Sequence, residues 1–527
     1  MFRSLLVIAL LDQIHPAAAQ QSVFILRAGK DTVSVERFTV TPTRIESEIL
    51  LKANGARVRF SGMIGADGLI GSLNNEFWIA TDSATAKPRQ SAVITMQGDS
   101  AFAAITGDGQ TQTQRLGTKV GALPYVNPSF ALLEVFLRRA KLITGTSPAL
   151  SAFIVNGGQT FPVGVKPLGA DSMLLTMAGG EMRLRVDADG RILGGAVPAQ
   201  NTTLERTNET GVNMVVDKPD YSAPTGAPYS AVEVSIPTPM GHSLAGTLTL
   251  PAGASSSARV AAVVTITGSG SQDRDEAISL FKGFRPFREL ADSLARRGIA
   301  VLRMDDRGFG GSGGNAATAT SADFAEDIRA GLAWLGTRSE IDPARLGLVG
   351  HSEGGLIAPM VAKREPSLKG IVLLAGTAYT GRKILNFQFA NLVMNDTSLT
   401  PAAKAASRKG VPARVDSLIA TNPWLKFFAE YDPIATARKV KTPVLILNGA
   451  RDQQVTPDQV PLLARAFRAA GNRDVTAKVI PNLNHLFVQD PDGFPGHYTN
   501  LKSFAVDRPT IGLVVDWLVK RLGPPIA

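Results

Sequence analysis

The chain has 527 residues, 44% hydrophobic and 19% charged, with a formal charge of +10 and no cysteine. That length exceeds what one hydrophobic core usually supports, so two domains are expected, and the absence of cysteine excludes disulfides, thiolate metal sites and a cysteine nucleophile. The basic residues are scattered, with no basic run and no aromatic interleaving, which argues against nucleic acid as a partner and assigns the charge to a solvated surface.

The opening MFRSLLVIALLDQIHPAAAQ places Arg3 ahead of a short apolar run and ends in Ala17, Ala18 and Ala19. This is the pattern of a secretory signal cleaved before Gln20, so residues 1–19 are expected to be removed and the protein to be exported, periplasmic or extracellular. The run is too short to span a bilayer, and no other stretch is long enough for a transmembrane helix. Residues 20–216 then read as a β-rich domain. IESEILLKANGARVRFSGMI holds an Asn-Gly turn between extended stretches, and EMRLRVDADGRIL alternates Met182, Leu184 and Val186 against Arg183 and Arg185 before an Asp-Gly turn. An antiparallel sheet or barrel-like domain is expected, with one helix at FALLEVFLRRAKLI, 130–143, and no histidine.

DKPDYSAPTGAPYS, 217–230, carries no apolar periodicity and reads as a linker. From 231 to 527 the rhythm changes. VAAVVTIT, GIAVLRM, RLGLVG, GIVLLAG and TPVLILNG are runs of the buried parallel-strand kind, separated by amphipathic stretches such as PFRELADSLARRG and SADFAEDIRAGLAWLG. Alternating strands and helices predict an α/β domain built on a doubly wound, mostly parallel sheet.

Three serines sit in glycine-rich frames, in MGHSLAG, GFGGSGG and VGHSEGG. A nucleophile elbow needs a strand running into the first glycine and a helix starting after the serine. Ser243 reads as a hairpin turn and Ser312 as part of a long loop, whereas RLGLVG leads directly into Ser352 and then into LIAPMVAKRE, which has helical spacing. Ser352 is therefore the candidate nucleophile, and it needs a histidine base oriented by a carboxylate. Of five histidines, His15 leaves with the signal, His242 lies in the hairpin, His351 adjoins the serine and is expected to point back into the sheet, and His497 lies in a surface-like segment. His485, in the loop after DVTAKVI, is the candidate base. Asp452, directly after TPVLILNG, is the candidate acid, with Asp458 read as a helix cap. The oxyanion donors are expected at Glu353 and Ser269. Asp305 to Arg307 read as a buried ion pair holding the Gly-rich loop. Asp273, Asp275 and Glu276 read as surface carboxylates, and no metal or cofactor is expected.

With TGSGSQDRDE, MDDRGFGGS, GHSEGG, FFAEYDP, TPVLILNGARDQQV and NLNHLF in this order, residues 232–523 resemble the α/β-hydrolase superfamily, within it the bacterial carboxylesterase and serine aminopeptidase-like group. The resemblance implies a helical cap before the acid, where 377–438 has room for three helices, and its large apolar groups, Phe387, Phe389, Leu392, Val393, Trp424, Phe427 and Phe428, are expected to face an acyl chain. Thr267 stands where an ordinary member has histidine. The implied activity is hydrolysis of small-molecule carboxylic esters through an acyl-enzyme. The alternatives are an aminopeptidase-like or acyl-peptide hydrolase using the same residues, and a ligand-binding protein whose working part is the N-terminal β domain.

Overall fold

The computed structural model describes residues 21–52, 55–79, 86–107, 110–143, 150–178, 180–200, 202–209, 211–214, 219–278, 281, 283–316, 318–396 and 399–523. The expected signal, 1–19, lies outside them. Two compact units are present, one made chiefly of residues up to Val215 and the other chiefly of residues from Val216 on, with 53–56 and 79–86.

In the first unit, among the described residues, fifteen strands between Ser22 and Thr207 form one sheet. Two meanders join where the first strand, Ser22–Ala28, pairs antiparallel with the last, Thr202–Thr207. The end strands, Gln110–Gly117 and Leu123–Tyr125, do not pair with each other, so the sheet is open rather than a closed barrel. Period-two alternation does the folding work: along Gly180–Val186, Leu184 and Val186 are buried while Arg183 and Arg185 face solvent. The helix Phe130–Leu142 packs on the apolar face, burying Phe130, Leu133 and Phe136 among Phe24, Phe38, Ile49 and Leu184. Its N-terminus meets the buried carboxylate of Glu36, which accepts from the Phe130 and Ala131 N–H groups (2.7 and 3.1 Å) and from Ser129 and Ser47.

The second unit contains an eight-stranded sheet, whose strands are here β1 (Tyr229–Pro237), β2 (Ser243–Pro251), β3 (Val260–Ile266), β4 (Ile299–Met304), β5 (Ile341–His351), β6 (Gly370–Leu374), β7 (Val444–Gly449) and β8 (Val475–Ile480). Their order is β1-β2-β4-β3-β5-β6-β7-β8. The β1–β2 hairpin and the β2–β4 pair are antiparallel, and all other pairs are parallel. Every residue of β3, β4 and β7 is buried, as covering both sheet faces requires. The covering helices are α1 (Pro286–Ala295), α2 (Ser321–Gly336), α3 (Glu353–Arg364), α8 (Gln459–Ala469) and α9 (Arg508–Leu522). Between β6 and β7 come α4 (Gly381–Asn395), α5 (Pro401–Thr421), α6 (Pro423–Glu430) and the short α7 (Pro433–Ala437). The segment read as a linker is not a free tether. Tyr221 is buried with the Arg274 guanidinium 4.2 Å from its ring centre, Arg285 and Arg288 donate to the Asp220 carbonyl, and β1 already begins at Tyr229.

Candidate active site

The site lies where β3, β5, β7 and β8 end. β5 stops at His351, Ser352 follows at φ 53° and ψ −112°, and α3 starts at Glu353. A left-handed φ at a non-glycine residue is strained, and the surroundings enforce it here. The Ser352 N–H donates to the Leu374 carbonyl at the end of β6 (2.8 Å). A Cβ on Gly350 would lie 2.1 Å from the Gly354 carbonyl oxygen, and one on Gly354 would lie 2.1 Å from that of Ile266. Only glycine fits at either position, because the turn folds the chain back on itself and against β3.

The Asp452 carboxylate follows β7 and is held at one oxygen by the Gln454 and Val455 N–H groups (2.8 and 2.9 Å). Its other oxygen, Oδ2, faces His485 Nδ1 at 2.8 Å. The His485 loop is fixed by Asn484, whose Oδ1 accepts from the Leu486 and Val488 N–H groups and whose amide donates to Asp490. Ser352 and His485 line one cavity of about 380 Å³, together with Gly268, Ser269, Glu353 and the apolar groups Phe281, Phe284, Ile384, Trp424 and Phe428. At the end of β3 the Gly268 N–H is engaged by Glu276 (2.8 Å), and Ser269 is the next residue of the loop on the cavity. The structure thus brings Ser352, Asp452, His485, Ser269 and Glu353 to one place.

The rejected candidates sit elsewhere. Ser243 opens β2 in the hairpin. Ser312 is buried, its hydroxyl donating to the Asp305 carbonyl (2.8 Å) and accepting from the Ala245 N–H (2.9 Å). His242 pairs with Asp327 (3.1 Å), and the exposed His497 with Asp492 (2.8 Å). Asp458 occupies the position before α8 but makes no capping bond; its carboxylate accepts from the Tyr379 hydroxyl instead.

Several sequence expectations are corrected. Asp273, Asp275 and Glu276 are not surface carboxylates: Asp275 and Glu276 are fully covered, Asp275 being paired with Arg303 and Arg285. Asp305 does hold the Gly-rich loop, but its partner is Arg274, which grips both carboxylate oxygens (3.0 and 2.9 Å), while Arg307 pairs with Asp327. His351 does not point away into the sheet; it lies against His485, ring centres 4.9 Å apart. Thr267 donates to Asp306 (2.7 Å), whose carboxyl burial pushes well above the usual carboxylate range. Of the large apolar cap residues, Trp424 and Phe428 reach the cavity, Phe389 and Val393 pack inside the cap, and Phe387 and Leu392 are exposed.

The role of the Glu353 side chain was missed. It accepts from Ser321 (2.6 Å) and from the Trp424 indole N–H (2.7 Å), tying the cap to the elbow, and burial raises its pKa. A carboxylate directly after the nucleophile, on the first turn of a buried helix, was the available signal.

A model of the serine aminopeptidase family S33 matches residues 284–492. Esterase EstD of Thermotoga maritima is 27% identical over 308 residues, covering 57% of this chain and 70% of that protein. An α/β-hydrolase domain-containing protein, WAV2, of Arabidopsis thaliana is 26% identical over 190 residues, 35% of this chain and 54% of that one. Among solved structures, the Pyrococcus furiosus esterase PF2001 aligns with 58% of this chain and 96% of its own, at 18% identity and a TM-score of 0.41. This sheet order and this elbow are those of the α/β-hydrolase fold, and with the sequence matches to the serine aminopeptidase family model and to esterase EstD the chain is a hydrolase of that fold.

Proposed function

We propose that the protein hydrolyses carboxylic esters of small, largely apolar molecules through an acyl-enzyme on Ser352. The observation that carries this reading is the bond between His485 and Asp452 (2.8 Å) in the same cavity as a serine held at an elbow. In this mechanism the Ser352 hydroxyl attacks the ester carbonyl while His485 Nε2 takes its proton, and Asp452 holds the Nδ1–H and stabilises the imidazolium. The N–H groups of Glu353 and Ser269 receive the negative oxygen. His485 then gives the proton to the departing alkoxide, and water repeats the sequence to release the acid.

The cavity wall favours ester over aminopeptide. A substrate ammonium needs an accessible anion, but the two carboxylates lining the cavity do not offer one: Glu353 accepts from Ser321 and Trp424, and Glu276 accepts at Oε1 from His351 and Gly268 while its Oε2 is buried. The remaining lining is dominated by aromatic and aliphatic groups, which suit an acyl or alkyl chain. Comparing p-nitrophenyl esters of graded acyl length with aminoacyl p-nitroanilides tests the choice. Ester turnover with little or no anilide turnover is expected; preference for anilides would replace the reading with the peptidase one. Export is proposed on residues 1–19 alone, and a mature N-terminus at Gln20 in the exported fraction is its test.

A further inference from the structure

A second carboxylate–imidazole pair lies against the first. Glu276, at φ 56°, accepts at Oε1 from His351 Nδ1 (2.7 Å) and from the Gly268 N–H (2.8 Å), while its Oε2 is buried without a protein partner. On the other side of the ring, His351 Nε2 lies 3.0 Å from the backbone carbonyl oxygen of His485. Each ring nitrogen therefore faces an acceptor. A neutral imidazole has one N–H and would set a lone pair against an oxygen, so this geometry fits the imidazolium, with Glu276 as its counter-ion. Burial, the largest single influence, pulls the His351 pKa down, yet the Glu276 carboxylate, the His485 carbonyl and Asp452 together outweigh it and the pKa is raised.

We propose that Glu276 and His351 are positioning residues, an ionic clamp that holds the oxyanion loop at Gly268, the elbow strand at His351 and the base loop at His485 in register for Ser352. The proposal rests on the triad reading above. These three segments are remote in sequence, and reaction at Ser352 needs their groups placed to within about 0.5 Å. One end of the clamp fixes the peptide that leads into Ser269. The other fixes the carbonyl of the base itself. The pair also sets a cation beside His485, which opposes a second positive charge there. The charged and titratable groups around His485 are Asp452 at Nδ1, His351 with Glu276 behind it, Glu353 on the wall of the same cavity, and Tyr498, whose hydroxyl hydrogen-bonds the His485 backbone.

The test uses the full-length protein with His351→Asn, Glu276→Gln and Glu276→Ala. An asparagine amide at the Nδ1 position can still donate to Glu276 but does not reach the His485 carbonyl; glutamine keeps the shape and an acceptor but loses the charge. Active sites are titrated with a fluorophosphonate, so that turnover of p-nitrophenyl butyrate is expressed per labelled serine. The clamp predicts a loss in kcat of about 10- to 100-fold per labelled site with KM changed by less than about threefold, smaller for Glu276→Gln than for Glu276→Ala. It also predicts that His351→Asn moves the acid limb of the pH–rate profile to higher pH, because the cation is gone while the Glu276 carboxylate stays. A merely structural role would lower thermal stability or the fraction of titratable sites, leaving the rate per site and the acid limb as in wild type; that result would overturn the proposal. Wild-type protein that hydrolyses the ester without labelling at Ser352 would overturn the triad reading and the clamp with it, an outcome distinguished by the labelled residue.

Discussion

Ser312 and Ser352 stand in similar glycine frames and do opposite things. Ser312 spends its hydroxyl on two backbone groups, so it holds the loop after β4 against β2. Ser352→Ala is expected to lose about 10⁴-fold or more in turnover. Ser312→Ala should keep its rate per folded molecule but lose about 1–3 kcal/mol of stability, since two buried backbone groups lose a partner. Parallel kinetics and chemical denaturation check both. Asp452→Asn should keep KM nearly unchanged while turnover falls by about 10⁴, through loss of the group that sets the imidazole tautomer. Asp458→Asn should change little; the reverse pattern would move the acid to Asp458. At this scale the triad candidates were legible because each follows a strand end, where the chain's periodicity marks it. Glu276 and His351 were not, because a buried polar pair depends on which strand ends become neighbours, and hydropathy carries no trace of that.

The cap is a layer with its own small core, Val411, Val415 and Ile419 packed with Phe389 and Val393, and it reaches the cavity through Trp424 and Phe428 of α6 and Ile384, Leu385 and Gln388 of α4. Trp424→Ala removes cavity wall and a donor to Glu353 together. It should raise KM for short acyl esters by about tenfold and shift preference toward longer chains, while Phe387→Ala, on the exposed face, should do neither. A series of p-nitrophenyl esters reads this out. The helix Phe130–Leu142 offers a different test. Burial pushes the Glu36 carboxyl up to about 7 from 4.5, outweighing its hydrogen bonds to Ser129, Ser47 and the helix N-terminus. A carboxyl whose folded pKa is raised contributes stability that is full below its unfolded pKa and lost as pH rises through the folded value, so the loss falls between pH 4.5 and about 7 and amounts to about 3 kcal/mol. Denaturant unfolding of wild type and Glu36→Gln across that window should show this difference, and parallel pH dependences would refute it. The helix itself was plain from its apolar spacing. That a strand glutamate supplies its N-terminal partner was not, because Glu36 in DTVSVERFTV resembles any outward-facing strand residue.

For the whole molecule, the change from period-two alternation to continuous apolar runs located two kinds of sheet, and two compact units with separate cores are present. Strand order was less legible. Nothing in Ser22–Ala28 announces that it pairs with Thr202–Thr207, since long-range antiparallel pairing leaves no local mark. The packing of the segment before β1 was not legible for a related reason: proline and glycine mark irregular backbone equally well whether it floats free or packs, as Tyr221 does beneath Arg274. The central claim is that Ser352 is the nucleophile of an ester hydrolase. Its most direct test is to label the intact protein with a fluorophosphonate, map the modified peptide by mass spectrometry and follow p-nitrophenyl ester hydrolysis in the same samples. One label per chain on the peptide bearing Ser352, with hydrolysis lost in proportion, is the predicted result. A label on Ser312 or Ser243, or hydrolysis that survives complete labelling of Ser352, would contradict it.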